Sequence, residues 1–212
     1  SFHSMMEKHL NNEENVEEEL QQTAKLLNEK ICRKWMKSIW VCDNHGDHLY
    51  VWLDRFDYRQ DLVNAAFFLE AQLRFVQALQ AKDGDFNLIE WSMRRCGLKK
   101  ESNVRFLGVT ERFKTCKRYG GGIENSLHGD KGPNGSRGSL SSFAKMATKM
   151  IVGHSHTAGI QDGVYQVGTS SKLRLPYSEK GPSSWSHTHC ITYVNGKRTL
   201  FTVWNGKAWA DR

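Results

Sequence analysis

The stretch M150-I-V-G-H-S-H-T-A-G-I160 sets two histidines one residue apart, directly after an apolar run and between two glycines. The run M150-I-V152 reads as a short buried strand, which puts His154 and His156 at its C-terminal end. If the backbone stays extended, the two side chains point the same way; a turn aims them at different places. Imidazoles gathered at one spot suit borderline divalent metals such as Mn, Fe or Zn. The chain has nine histidines, and a surface turn can hold two of them with no ligand at all. The metal reading therefore depends on partners elsewhere in the sequence.

Two further polar clusters come after expected strands. S38-I-W-V-C-D-N-H45 reads as a buried strand delivering Asn44 and His45, and residues 123–128 as a short strand ending at His128. In open α/β architectures strand C-terminal ends face one crevice, where ligands bind, so the three clusters are expected to share a site. H128-G-D-K-G-P-N-G-S-R-G138 is a glycine-rich loop too polar for a core. It lacks G-K-[ST] and is no Walker loop. A helix near 140–148 leads back to M150-I-V152. The tail reads as strands V164-Y-Q-V167, H189-C-I-T-Y-V194 and T199-L-F-T-V-W204, the last two joined by Asn195-Gly196, a strong hairpin signal.

Upstream, Val16, Leu20, Leu27 and Ile31 recur at helical spacing within 13–37. Asp61 is placed to cap a second helix over 62–80, with Leu62, Ala65, Ala66, Leu69, Leu73 and Val76 on its apolar face, and K82-D-G-D85 ends it. Residues 103–109 read as another short strand. The expectation is a layered α/β protein of one domain over residues 1–212.

Hydrophobic residues make up 39% of the 212 and charged residues 25%, an ordinary globular composition. No apolar run approaches the roughly 18 residues of a membrane span, so a soluble, cytoplasmic protein is expected. Cys32, Cys42, Cys96, Cys116 and Cys190 are widely spaced, odd in number and form no C-x-x-C pair, so neither a thiolate zinc knuckle nor a disulfide framework is suggested. The formal net charge is +7. Residues 94–118 hold nine lysines and arginines against Glu101 and Glu111. That basic segment suits a polyanion such as DNA, with Lys99, Lys100, Lys117 and Arg118 as expected contacts; the alternative is a solvated face.

G153-H-S-H156 resembles the G-H-x-H signature of the calcineurin-like metallophosphoesterases. His128 in L127-H-G-D130 resembles their isolated metal-binding histidine, and D43-N-H-G-D47 their G-N-H-D/E block. More narrowly, N44-H-G-D-H-L-Y-V-W-L53, the loop H128-G-D-K-G-P-N-G-S-R-G-S139, V164-Y-Q-V-G-T-S170 and P182-S-S-W185 resemble a bacteriophage branch of that superfamily. The resemblance implies a layered α-β-β-α sandwich and two divalent ions, manganese first, with iron, zinc or magnesium as alternatives. It assigns Asn44, His128 and His154 to the second ion and His156 to the first. His45 would contact the phosphate and assist the leaving group, with Asp47 standing in for the block's acidic residue. Apart from the resemblance, Arg137 in the glycine-rich loop is a candidate to clamp a phosphate through its planar fork, the alternative being a solvated loop arginine.

The family's D-x-H and G-D-x-x-D motifs do not occur in the chain, and S1-F-H-S4 resembles the segment directly after the second of them. The expectation is a fold lacking its N-terminal strands: a fragment, a cleavage product, or a subunit completed in cis or in trans, with homo-oligomerisation also open. Asp43 replaces the block's usual glycine, and Gly46 sits where an acidic residue is common. The expected function is that of a metal-dependent phosphoesterase, foremost a phosphodiesterase or nuclease acting on DNA in a phage host's cytoplasm. Alternatives are a phosphomonoesterase or cyclic-nucleotide hydrolase, and a non-catalytic phage protein binding host protein or DNA.

Overall fold

The computed structural model describes residues 15–118, 120–174 and 181–210. S1-F-H-S4 and the start of the 13–37 helix lie outside them. The chain is mixed α/β with several sheets, and it divides into two compact units, the first ending at Val109 and the second beginning at Thr110.

In the first unit α1 (Val16–Leu26) starts at Asn15, whose side chain accepts the Glu18 N–H, and runs into a π turn, Leu27–Ile31. The helix thus stops six residues short of the expected 37. β1 (Ser38–Trp40) pairs in parallel with β2 (Val104–Phe106). α2 (Asn44–Arg55), α3 (Ala65–Gln80) and α4 (Leu88–Arg95) complete the unit. α4 was not expected; Asn87 caps it by accepting the Glu90 N–H at 3.0 Å.

α3 corrects the sequence reading in two ways. It begins at Ala65, because Asp61 binds the Asn64 side chain instead of capping the helix. Its buried face is Phe67, Phe68, Ala71 and Ala78, while Leu62, Leu69, Leu73 and Val76 are exposed. Both stripes are apolar at helical spacing. The aromatic one wins because it buries more area and meets rings: Phe68 stands edge-on to Trp52 at 4.8 Å, and Phe67 lies 6.2 Å from Trp91. Arg95 joins α4 to α1 and α3 through Glu17 at 2.8 Å and Glu70 at 3.0 Å.

The second unit holds a five-stranded mixed sheet in the order β3-β4-β5-β7-β6 and a three-stranded antiparallel sheet in the order β8-β9-β10. The strands are β3 (Lys114–Thr115), β4 (Ile123–Glu124), β5 (Met150–Val152), β6 (Gly159–Gln161), β7 (Val164–Gln166), β8 (Thr188–Thr192), β9 (Arg198–Trp204) and β10 (Lys207–Ala210). Between parallel β4 and β5 the chain crosses over through the glycine-rich loop and a short α5 (Leu140–Ala144). Phe143 of α5 packs with Met150, Val152 and Val164 to form the unit's core.

Two hairpins lie beyond the sequence reading. Asp162-Gly163 (φ 44° and 86°) turns β6 into β7, and Asn205-Gly206 (φ 47° and 72°) turns β9 into β10. Each is a two-residue turn with positive φ at both positions, for which Asp-Gly and Asn-Gly are the favoured pairs. Arg198 ties the smaller sheet to the larger. Its guanidinium donates to the Met150 and Gly163 carbonyls at 2.8 and 2.7 Å and lies 4.1 Å from the Tyr165 ring centroid.

Candidate functional site

β4 and β5 are parallel neighbours, so the loops leaving their C-terminal ends emerge at the same sheet edge. His128 lies four residues beyond β4 and His154 two beyond β5. The His128 carbonyl accepts the Gly153 N–H at 2.7 Å, which locks the two turns together. Gly129 (φ 112°) sits where a Cβ would crowd the Gly153 carbonyl, so glycine is required for that approach. The result is a pair of imidazoles with ring centroids 5.2 Å apart and planes at 77°. Two imidazoles on one ion, with metal–nitrogen bonds of about 2.0–2.1 Å, place their centroids roughly 4.5–5.2 Å apart for right-angled to tetrahedral coordination. The separation is compatible with a shared ion, and it is also that of an ordinary edge-on ring contact.

The H-S-H stretch is a turn, not an extended strand. His154 (φ 68°) and His156 (φ 61°) both sit in the left-handed region, with the Ser155 N–H donating to the Gly153 carbonyl at 2.8 Å. Such a conformation costs a non-glycine residue of order 1–2 kcal/mol and concentrates at functional sites. The turn separates the two imidazoles: His154 goes to His128, whereas His156 packs against Trp185 with centroids 4.3 Å apart and planes at 78°. The Ser186 N–H donates to the His156 carbonyl at 3.1 Å and holds Trp185 in register. Trp185 had no assigned role in the sequence; P182-S-S-W185 was the signal. Among the described residues no three His, Cys, Asp or Glu side chains gather to hold an ion, so the cluster here is a pair.

Arg137 is exposed, its backbone bridged to Lys131 across the glycine-rich loop. His187 donates to or accepts from nothing at the imidazole pair; its Nε2 lies 2.9 Å from the Ser171 carbonyl, and His189 packs beside Phe201.

In the first unit Asn44, His45 and Asp47 lie on the opening turn of α2, not at the end of β1, which stops at Trp40. Asp43, which stands where the resembled motif has glycine, has a structural task. Its carboxylate caps α2 by accepting the Gly46 N–H at 2.6 Å. Asn44 Oδ1 is buried with no hydrogen-bond partner among the described residues, an arrangement native proteins rarely keep without a ligand or a water. His45 is exposed, with the His48 ring 5.6 Å away. Burial, with Asp47 and Asp43 nearby, pushes the Cys42 thiol up, and it donates to the Leu107 carbonyl. That keeps Cys42 protonated and out of thiolate chemistry.

The basic segment is divided by the unit boundary. Lys99 and Lys100 belong to the first unit, Lys117 and Arg118 to the second, and all four are exposed. Arg94 and Arg95 are not free for a ligand. Arg94 pairs with Glu90 at 3.2 Å, and Glu70, then Glu17, hold the Arg95 guanidinium above its ordinary value.

One relative emerges. Protein A1 of Escherichia phage T5 is 37% identical over 197 residues, which cover 92% of this chain and 34% of that protein. The chain spans about a third of the length of the curated relative it matches, and the match supports a phage origin. No family model matches the chain, and no solved structure matches it. No helix among the described residues is long and apolar enough to cross a membrane.

Proposed function

We propose that His128 and His154 hold a divalent metal ion and that the chain is part of a metal-dependent phosphoesterase of the calcineurin-like kind, acting on DNA in the cytoplasm of a phage host. The observation that carries this reading is the 5.2 Å imidazole pair at neighbouring strand ends, one member in a strained left-handed backbone. The donor chemistry fits. Two neutral imidazoles suit manganese, iron or zinc. When bound, such ions polarise phosphoryl oxygens and make a nucleophile of water at neutral pH.

The chain's own residues supply the rest of the reading. His45, exposed on the first turn of α2, serves as the proton donor to the departing oxygen, a role that imidazoles fill more often than any other side chain. Arg137 offers a planar fork to a phosphate. Lys99, Lys100, Lys117 and Arg118 contact DNA phosphates, which positions the strand without reading its sequence. The left-handed turn serves to aim His154 away from His156.

The test is hydrolysis of a bis-aryl phosphate and of DNA with manganese added. His128→Ala and His154→Ala should abolish turnover, and His187→Ala should leave it intact. Equal activity in all three would sink the proposal. The exposed lysines and arginines favour one second reading, a non-catalytic DNA-binding protein; DNA binding with no turnover of either substrate would select it.

A further inference from the structure

α1, α2 and α4 of the first unit surround a cavity of about 520 Å³, within the roughly 300–1,000 Å³ typical of small-molecule sites. Its walls are apolar and aromatic: Leu20, Trp40, Trp52 and Met93 line it. Trp40 stacks on Phe106 at 5.2 Å and Trp52 on Phe67 at 6.5 Å, so both indoles are held in place by the core behind them. The rim carries hydrogen-bonding groups of both kinds. Glu19 contributes a carboxylate that only accepts, while His45 and His48 each offer a ring donor and acceptor.

We propose that this cavity binds the base of a nucleotide. A flat ring lying against these aromatic side chains gains from stacking, which is tolerant of base identity. The ring's edge, with its own donors and acceptors, meets Glu19 and the two imidazoles. An acyl chain or a plain hydrocarbon would fill the walls and make no use of the exposed polar groups at the mouth. The carboxylate also disfavours an anion in the cavity, so the phosphate stays outside while the neutral base enters. Base binding by this cavity does not depend on a metal at His128 and His154.

The test uses nucleosides, which lack phosphate, and a chelator in place of metal. Thymidine and deoxyguanosine are titrated calorimetrically into the whole chain, with deoxyribose as the control without a base. Saturable binding at about 1 mM or tighter, absent for deoxyribose, is the expected result. Thr23→Phe, which projects a ring into the cavity, should weaken it at least about tenfold, on the scale of one lost base stack. Glu19→Gln, which keeps the shape and removes the charge, should weaken it severalfold and decides the matter if the phenylalanine variant does not fold. Absence of saturable binding below roughly 10 mM, equal binding of deoxyribose, or wild-type affinity in the folded variants would overturn the proposal. Failure of the metal site at His128 and His154 would leave these titrations unchanged, so the two readings fail separately.

Discussion

Replacing His154 by glycine and by alanine should invert the usual order of stability. Both substitutions remove the imidazole and its edge-on contact with His128, so that loss cancels between them. They differ in the backbone. At φ 68° alanine keeps the left-handed penalty, of order 1–2 kcal/mol, which glycine escapes. Glycine in turn gives the unfolded chain more freedom, worth about 0.4–1 kcal/mol against it. The balance leaves His154→Gly more stable than His154→Ala by about 0.5–1 kcal/mol, or roughly 1–4 °C in midpoint for a chain of this length. Urea and thermal unfolding of the metal-free variants measure it. At an ordinary strand or helix position alanine would be the more stable of the two. A result in that order would mean that residue 154 is not left-handed, and the turn that brings its ring to His128 would be wrong.

Three other outcomes are expected from the same geometry. Asp43→Ala should cost about 1 kcal/mol by uncapping α2, whereas Asn44→Ala should leave the metal-free chain close to wild type because it deletes a buried acceptor that has no partner among the described residues; comparable losses in urea unfolding would show that Asn44 is structural. Burial opposes ionisation of Glu124, yet the Ser126 hydroxyl and N–H, with Arg112 and Lys114, hold its carboxyl below the ordinary value. Its ionised form is therefore favoured in the fold, so this contribution is complete above the unfolded carboxylate range and lost as pH falls through the lowered folded value; Glu124→Gln should flatten the acid side of the stability profile, and an unchanged profile would remove Glu124 from that role. Neutralising Lys99, Lys100, Lys117 and Arg118 together should weaken DNA binding and reduce its salt slope by up to about 3–4, near 0.9 per phosphate contact; an unchanged slope in filter binding would leave them as a solvated surface.

The strands that carry the histidines were legible because short apolar runs ending in polar residues say where a buried strand stops. M150-I-V152 became β5 and V164-Y-Q-V167 gave β7. What failed was a choice between equals. α3 has two apolar stripes at the same spacing, and only the partner rings of Trp52 and Trp91 decide which is buried. The Asp162-Gly163 and Asn205-Gly206 turns were readable by the same rule that found Asn195-Gly196, and β6 and β10 were missed with them. At the site, the spacing of His154 and His156 could not reveal their divergence. That depends on two left-handed backbones and on Trp185, which is distant in sequence from both histidines. Asp43 shows the opposite case, since a cap three residues before Gly46 is a local signal and needed no tertiary information.

The most direct test of the metal site is calorimetric titration of manganese into the chelator-stripped chain and into His128→Ala, His154→Ala and His187→Ala. Saturable binding should appear in the wild type and in His187→Ala, whose ring lies with the Ser171 carbonyl, and should fall by at least about 100-fold in the other two, since even a partner behind a metal ligand is worth 10–100-fold. Wild-type affinity in His128→Ala and His154→Ala would mean that the paired imidazoles do not hold the ion.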